Sequence, residues 1–209
     1  MSFTSWATIG ALTKYRTTKF KQRRQVFTRF KHLENVQIGG CTGLSFGWLQ
    51  RYFKCPDETG SARIAILNTD QYWINIDYLA SIFNGVLQDE KYLDRIKTVT
   101  PQALNKTVTA HVFQISKTDF SRAIDHFDSN PGAHMIVLKL VASTDHLCAA
   151  FQTGTSLIFF DPNSGEYTVP NASRSNFFEA LHTQYLTYVQ GDGKRSAKTI
   201  QNFLICHVA

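Results

Sequence analysis

Apolar positions in the first half of the chain mostly recur every three or four residues, whereas in the second half they crowd into short continuous runs. Leu44, Trp48, Leu49, Tyr52 and Phe53 share one helical face until Pro56 stops the helix. Ile74, Tyr78, Leu79, Ile82 and Phe83 define a second helix that Gly85 closes, and residues from about Tyr92 to Lys106 read as loop and short helix. Phe120, Ala123, Ile124 and Phe127 define another helix, ended by Asn130-Pro131-Gly132. Strands are predicted at His111–Ile115, His134–Ala142, His146–Gln152, Ser156–Asp161 and Tyr167–Val169, the later ones separated by Ser-Thr-Asp, Thr-Gly and Asn-Ser-Gly turns. A helix over Ser173–Val189, broken by Gly191-Asp192-Gly193, and a strand over Thr199–Val208 complete the pattern. Helices first and strands afterwards predict one α+β domain, a helical layer facing an antiparallel meander, with the cleft between the layers as the place for chemistry.

A chain of 209 residues, 43% of them hydrophobic, can bury a full core. No apolar run approaches the roughly 20 residues of a membrane span, and the start lacks the charged-then-apolar layout of a signal peptide. Export by a Sec-type route is therefore not expected, whereas a specialised secretion system leaves no such mark. The four cysteines show neither the close pairs of a zinc site nor the density of a disulfide scaffold. A reducing compartment fits them best, and neither a metal nor a cofactor is expected.

The charge of +6 is unevenly spread. Eight of the 22 Lys and Arg residues precede the first acid, Glu34, which leaves 14 cations against 16 Asp and Glu in the remainder. Residues 1–34 read as a basic leader, a solvated arm or loosely docked helix, and residues 35–209 as the folded domain. Such a leader suits an acidic partner or an anionic membrane surface. It lacks the aromatic signature or zinc finger of a nucleic-acid binder, so no nucleic-acid partner is expected.

Cys41 carries the candidate chemistry. It follows Gly39-Gly40 at the start of the first helix, where unpaired N–H groups favour thiolate over thiol. The competing reading is a small buried hydrophobe, the common fate of a free cysteine. Gly43 and Gly47 each cost helix stability on the order of 1 kcal/mol and predict a face pressed closely against another element.

A thiolate mechanism needs a base and a group to orient that base. With a two-residue turn at Thr153-Gly154, Gln152 faces Thr155 and His146 comes directly opposite Asp161, on the same face of the hairpin. A slip of one residue would separate them. Pro162 holds Asp161 extended. His134 and His111 are rival bases, but no short hairpin places an acid opposite either. The oxyanion of acyl transfer needs a side-chain donor beside the nucleophile, and Gln37 or Asn35, just upstream of Cys41, are the candidates.

Three blocks carry a family likeness: Gly40-Cys41-Thr42-Gly43-Leu44-Ser45-Phe46-Gly47-Trp48-Leu49, then His146-Leu147-Cys148-Ala149-Ala150, then Phe160-Asp161-Pro162-Asn163-Ser164-Gly165-Glu166-Tyr167. In composition and in the order Cys, His, Asp they resemble the YopT-type, papain-like cysteine proteases of bacteria. The resemblance implies a papain-like fold, with a nucleophile helix in an N-terminal helical layer packed on a small antiparallel sheet. It implies Cys41 as nucleophile, His146 as general acid and base, and Asp161 as orienter. It further implies an effector or toxin that leaves its cell through a specialised secretion system and cuts a protein in the cytosol of a host or competitor cell. An immunity or inhibitor protein would be a further partner. The same three residues also serve acyl transfer and glutamine deamidation, and a non-catalytic basic binding module stands as a third reading.

Overall fold

Both faces of the sheet are covered, which is why its central strands read as unbroken apolar runs rather than as alternations. The computed structural model describes residues 10–86, 91–114, 119–141, 145–186 and 200–209. The expected helix end at Val189, the Gly191-Asp192-Gly193 break and the ends of the strands at Ile115 and Ala142 lie outside them. Seven strands, β1 (Arg16–Lys19), β2 (Val108–Gln114), β3 (Gly132–Leu140), β4 (His146–Gln152), β5 (Ser156–Asp161), β6 (Gly165–Pro170) and β7 (Ile200–Val208), form one antiparallel sheet. Their order is β1-β6-β5-β4-β3-β7-β2.

The helices are α1 (Gln22–Thr28), α2 (Glu34–Lys54), α3 (Gly60–Leu67), α4 (Asp70–Gly85), α5 (Tyr92–Leu104), α6 (Ser121–Ser129) and α7 (Arg174–Leu186). Alternation along the strands sorts the core into two clusters. Met135, Val137, Leu147, Ala149 and Leu204 face the α1–α5 layer, where Leu44, Trp48, Trp73 and Ile96 meet them. Ile136, Leu138, Cys148, Ala150 and Ile205 face α6 and α7 through Phe127, Phe177, Phe178 and Leu181. The domain is thus three layers deep, one more than the period change alone indicates. Among the described residues no helix is long and apolar enough to cross a membrane.

Residues 10–34, within the segment read as a basic leader, take part in this body. β1 pairs with β6, Arg16 opposite Tyr167 and Lys19 opposite Gly165. Phe20 is buried against Phe160, and Phe30 stacks on Trp73 with ring centroids 4.5 Å apart. This differs from a solvated arm. The cations of Arg-Thr-Thr-Lys sit on a short sheet edge, where charge guards against further pairing.

Candidate active site

Cys41 owes its place to a break in its helix. The α2 backbone leaves helical geometry at Gly39 (φ −136°, ψ 27°) and resumes at once, so Cys41 stands in the first turn of the resumed helix. Asn35 and Gln37, read as loop residues, lie in the short helical segment before the break. A Cβ on Gly43 would sit 2.2 Å from the Ile76 carbonyl oxygen, so α2 and α4 meet backbone to backbone with no room for a side chain. One turn beyond Cys41, Ser45 donates to the Leu147 carbonyl at 3.0 Å, while the Leu147 N–H donates to the Cys41 sulfur. The residue next to His146 is thereby tied to the helix that carries Cys41.

His146 and Asp161 meet through a different register from the one the two-residue turn predicts. Gln152 pairs with Leu157 rather than Thr155, and Ala149 pairs with Phe160. The Thr153 side chain organises the connection, donating to the Ser156 carbonyl and accepting from the Ser156 N–H. Continued by one pair, this register sets Asp161 opposite Cys148, with His146 as its diagonal neighbour. The shift is two residues, an even number, so each side chain keeps its expected face. An imidazole spans the diagonal, and His146 Nε2 lies 2.8 Å from Asp161 Oδ1.

Asp161 is fully buried and accepts four hydrogen bonds. Oδ1 takes His146 Nε2 and the Asn163 N–H, and Oδ2 takes the Ser164 hydroxyl and Tyr185 Oη at 3.2 Å. Burial alone would raise its pKa, but these donors and the imidazole charge hold it below the ordinary carboxylate value. Burial likewise opposes the imidazolium of His146, yet the Asp161 carboxylate and the Cys41 sulfur beside it raise its pKa well above the usual imidazole value. Burial also works against the Cys41 thiolate, and the bond and charge of His146, with the Leu147 N–H, more than offset it, so that pKa is lowered. With Nε2 committed to Asp161, Nδ1 is the ring atom left to exchange a proton with sulfur. The arrangement favours a thiolate–imidazolium pair.

Cys148 is the other thiol near the imidazole, and its state is the opposite. It is fully buried, and burial pushes its pKa up to about 12, so it stays protonated. Among the described residues, only His146, Cys148 and Asp161 have donor atoms close enough to hold a metal ion, all within 4.8 Å. The protonated thiol and the imidazole already bonded to carboxylate do not favour such ligation.

The other candidates stand elsewhere. The Asn35 amide donates to Asp77 Oδ2 at 3.2 Å, and the exposed Gln37 amide donates to the Lys31 carbonyl. His134 is buried, bonded through Nε2 to the Asn130 carbonyl, and pushed down to about 3 by burial. His111 is exposed on β2. Two residues beside these side chains have no sequence signal: Tyr185, from the layer behind the sheet, which donates to Asp161, and Gln22 of α1, whose amide lies against Gly40.

Comparison with known proteins agrees with this fold. No curated protein sequence matches the chain. Among solved structures it is similar to the Pseudomonas avirulence protein AvrPphB, at a TM-score of 0.71 and 15% identity over 95% of this chain and 99% of that one. A cysteine protease-like domain of the Photorhabdus asymbiotica toxin PaTox aligns at 0.49 and 9% identity, over 96% of this chain and 57% of that one, too loosely to carry an argument. The fold is papain-like. The Peptidase_C58 family model, described as Yersinia/Haemophilus virulence surface antigen, matches residues 82–201, which include His146 and Asp161. As that match spans more than half of its length, the chain belongs to this family of virulence-associated cysteine peptidases.

Proposed function

We propose that the chain is a thiol endopeptidase of a bacterial effector or toxin, cleaving a specific protein in the cytosol of a target cell through Cys41, His146 and Asp161. One observation carries the assignment: His146 is bonded to buried Asp161 at 2.8 Å while the same imidazole lowers the pKa of Cys41. The sulfur electron pair attacks the scissile carbonyl, whose π pair moves onto oxygen. Collapse of the tetrahedral species re-forms the carbonyl and expels the amine, which takes its proton from His146 and leaves a thioester on Cys41. His146 then takes a proton from water, whose oxygen attacks the thioester. Breaking of the carbon–sulfur bond frees the acid and restores the thiolate–imidazolium pair. Asp161 keeps the ring oriented throughout and stays ionised.

The basic segment fits a docking role toward an acidic or membrane-associated target. Neutral replacement of its exposed cations should weaken cleavage of the true target and leave reaction with small acyl reagents unchanged. The main test is incubation of wild-type and Cys41→Ala protein with lysates of candidate target cells, followed by terminal-peptide mapping. New termini that require Cys41 support proteolysis. Deamidated or acylated proteins without new termini would replace it with the transferase or deamidase reading.

A further inference from the structure

The tetrahedral species needs a donor for its oxygen, and the two amides nearest Cys41 in sequence are committed to Asp77 and Lys31. A third amide reaches the spot from the segment ahead of α2. Gln22 opens α1, and its N–H donates to the Pro162 carbonyl at 2.9 Å, which anchors it to the turn that carries Asp161. Its side chain crosses to the nucleophile helix. A Cβ on Gly40 would lie 2.8 Å from Gln22 Nε2, so the carboxamide fills the space left by the absent side chain just before Cys41. Gln22 Oε1 is buried and has no partner among the described residues. The unpartnered atom is the acceptor, so the carboxamide is placed by packing against Gly40 and by its anchored backbone rather than by a bond to its own oxygen.

From this geometry we infer that Gln22 is the side-chain donor of the oxyanion hole. This deepens the proposed function and rests on Cys41 being the nucleophile. When the Cys41 thiolate adds to a carbonyl, the negative charge develops on oxygen beside the first turn of the resumed helix. Gln22 Nε2–H meets that charge from one side, and the N–H groups at the start of the turn meet it from another. No proton moves to the oxygen. Gln22 donates a hydrogen bond that is strongest while the charge lasts, and releases it when the carbonyl re-forms. Gly40 is part of the same device, because any side chain there would displace the amide.

The test uses two small reagents and needs no knowledge of the natural substrate. p-Nitrophenyl acetate acylates a thiolate through an oxyanion, whereas iodoacetamide alkylates it by displacement without one. Mass spectrometry locates each modification on the full chain. Gln22→Ala and the near-isosteric, uncharged Gln22→Met should slow acylation of Cys41 by at least about tenfold, toward the 10²–10³ of a lost oxyanion donor. The same variants should leave its alkylation within about twofold of wild type. Gln22→Asn should recover less than Gln22 itself but more than Gln22→Ala. A parallel fall in both rates, or no fall in acylation, overturns the assignment, the first because Gln22 would then only support the fold. If wild-type acylation does not depend on Cys41, the nucleophile assignment itself fails, a result distinct from either of these.

Discussion

Asp161 and Glu166 are two buried carboxylates five residues apart on one hairpin, and their pKa values move in opposite directions. Both face cations, yet Asp161 is held below the ordinary value and Glu166 above it. The difference lies in how the donors are shared. Asp161 receives two on each oxygen. Glu166 receives Trp48 Nε1–H at 2.7 Å and Arg63 at 3.1 Å, both on Oε2, and burial, the larger influence, prevails. A buried carboxylate is stabilised by full satisfaction of its lone pairs more than by one opposite charge. Asp161, on the α7 face, is prepared as a permanent anion for an imidazole. Glu166, on the α2 face, ties Trp48 to Arg63, whose guanidinium also lies over the Trp48 and Tyr52 rings.

Asp161→Asn should separate the two most sharply. It should lower Cys41-dependent turnover by about 10²- to 10⁴-fold, through loss of ring orientation, in protein still folded at the assay temperature. Glu166→Leu should do the reverse. Leaving the Trp48 N–H and the Arg63 guanidinium buried without their shared acceptor should reduce unfolding free energy by about 3–5 kcal/mol in urea titrations, while turnover per folded molecule stays near wild type. Replacing the pair together, Arg63→Met with Glu166→Leu, should regain most of that loss; a double variant as unstable as the single one would mean that the pair does more than neutralise itself.

The pH dependence of stability divides them by sign. Since Asp161 is depressed, its contribution is complete above the ordinary aspartate value of about 3.9 and disappears as pH falls through its folded-state value. Since Glu166 is raised, its contribution is complete below about 4.3 and declines as pH rises through its folded-state value. Urea titrations across acid pH should lose the first slope in Asp161→Asn and the second in Glu166→Gln. The smallest effect is expected of Tyr185→Phe, which removes one of four donors to Asp161. A loss of about 0.5–1.5 kcal/mol, with only a few-fold change in turnover, would match a shared network; a loss as large as that of Asp161→Asn would make Tyr185 the dominant support.

The same hairpin shows how far the sequence is legible. Alternation decides faces, so His146 and Asp161 could be put on one side without coordinates. It says nothing of turn length, and the connection held by Thr153 moved the partner by two. On α4 the helix is readable but its face only in part, because Leu79 and Phe83 are inward as expected, with Trp73, Ile76 and Ala80 beside them, while Ile74 and Tyr78 are exposed. α3 escapes notice since eight residues with Ile64 and Leu67 inward hold too few turns for a period. β1 has no apolar alternation at all, being an edge. Gln22 is illegible for a different reason: its place beside Cys41 is made entirely by tertiary packing.

The contact of β1 with the hairpin ties the leading segment to the site. Gly165, at φ +124°, has room for no side chain, since a Cβ would lie 2.0 Å from the Thr18 carbonyl oxygen. Scission of the polypeptide between β1 and α2 would loosen both the Asp-Pro-Asn-Ser-Gly corner and the amide over Gly40. Such a cut should therefore lower turnover, and the stretch read from its charge as a solvated arm or loosely docked helix is the clasp on the acid side of the fold.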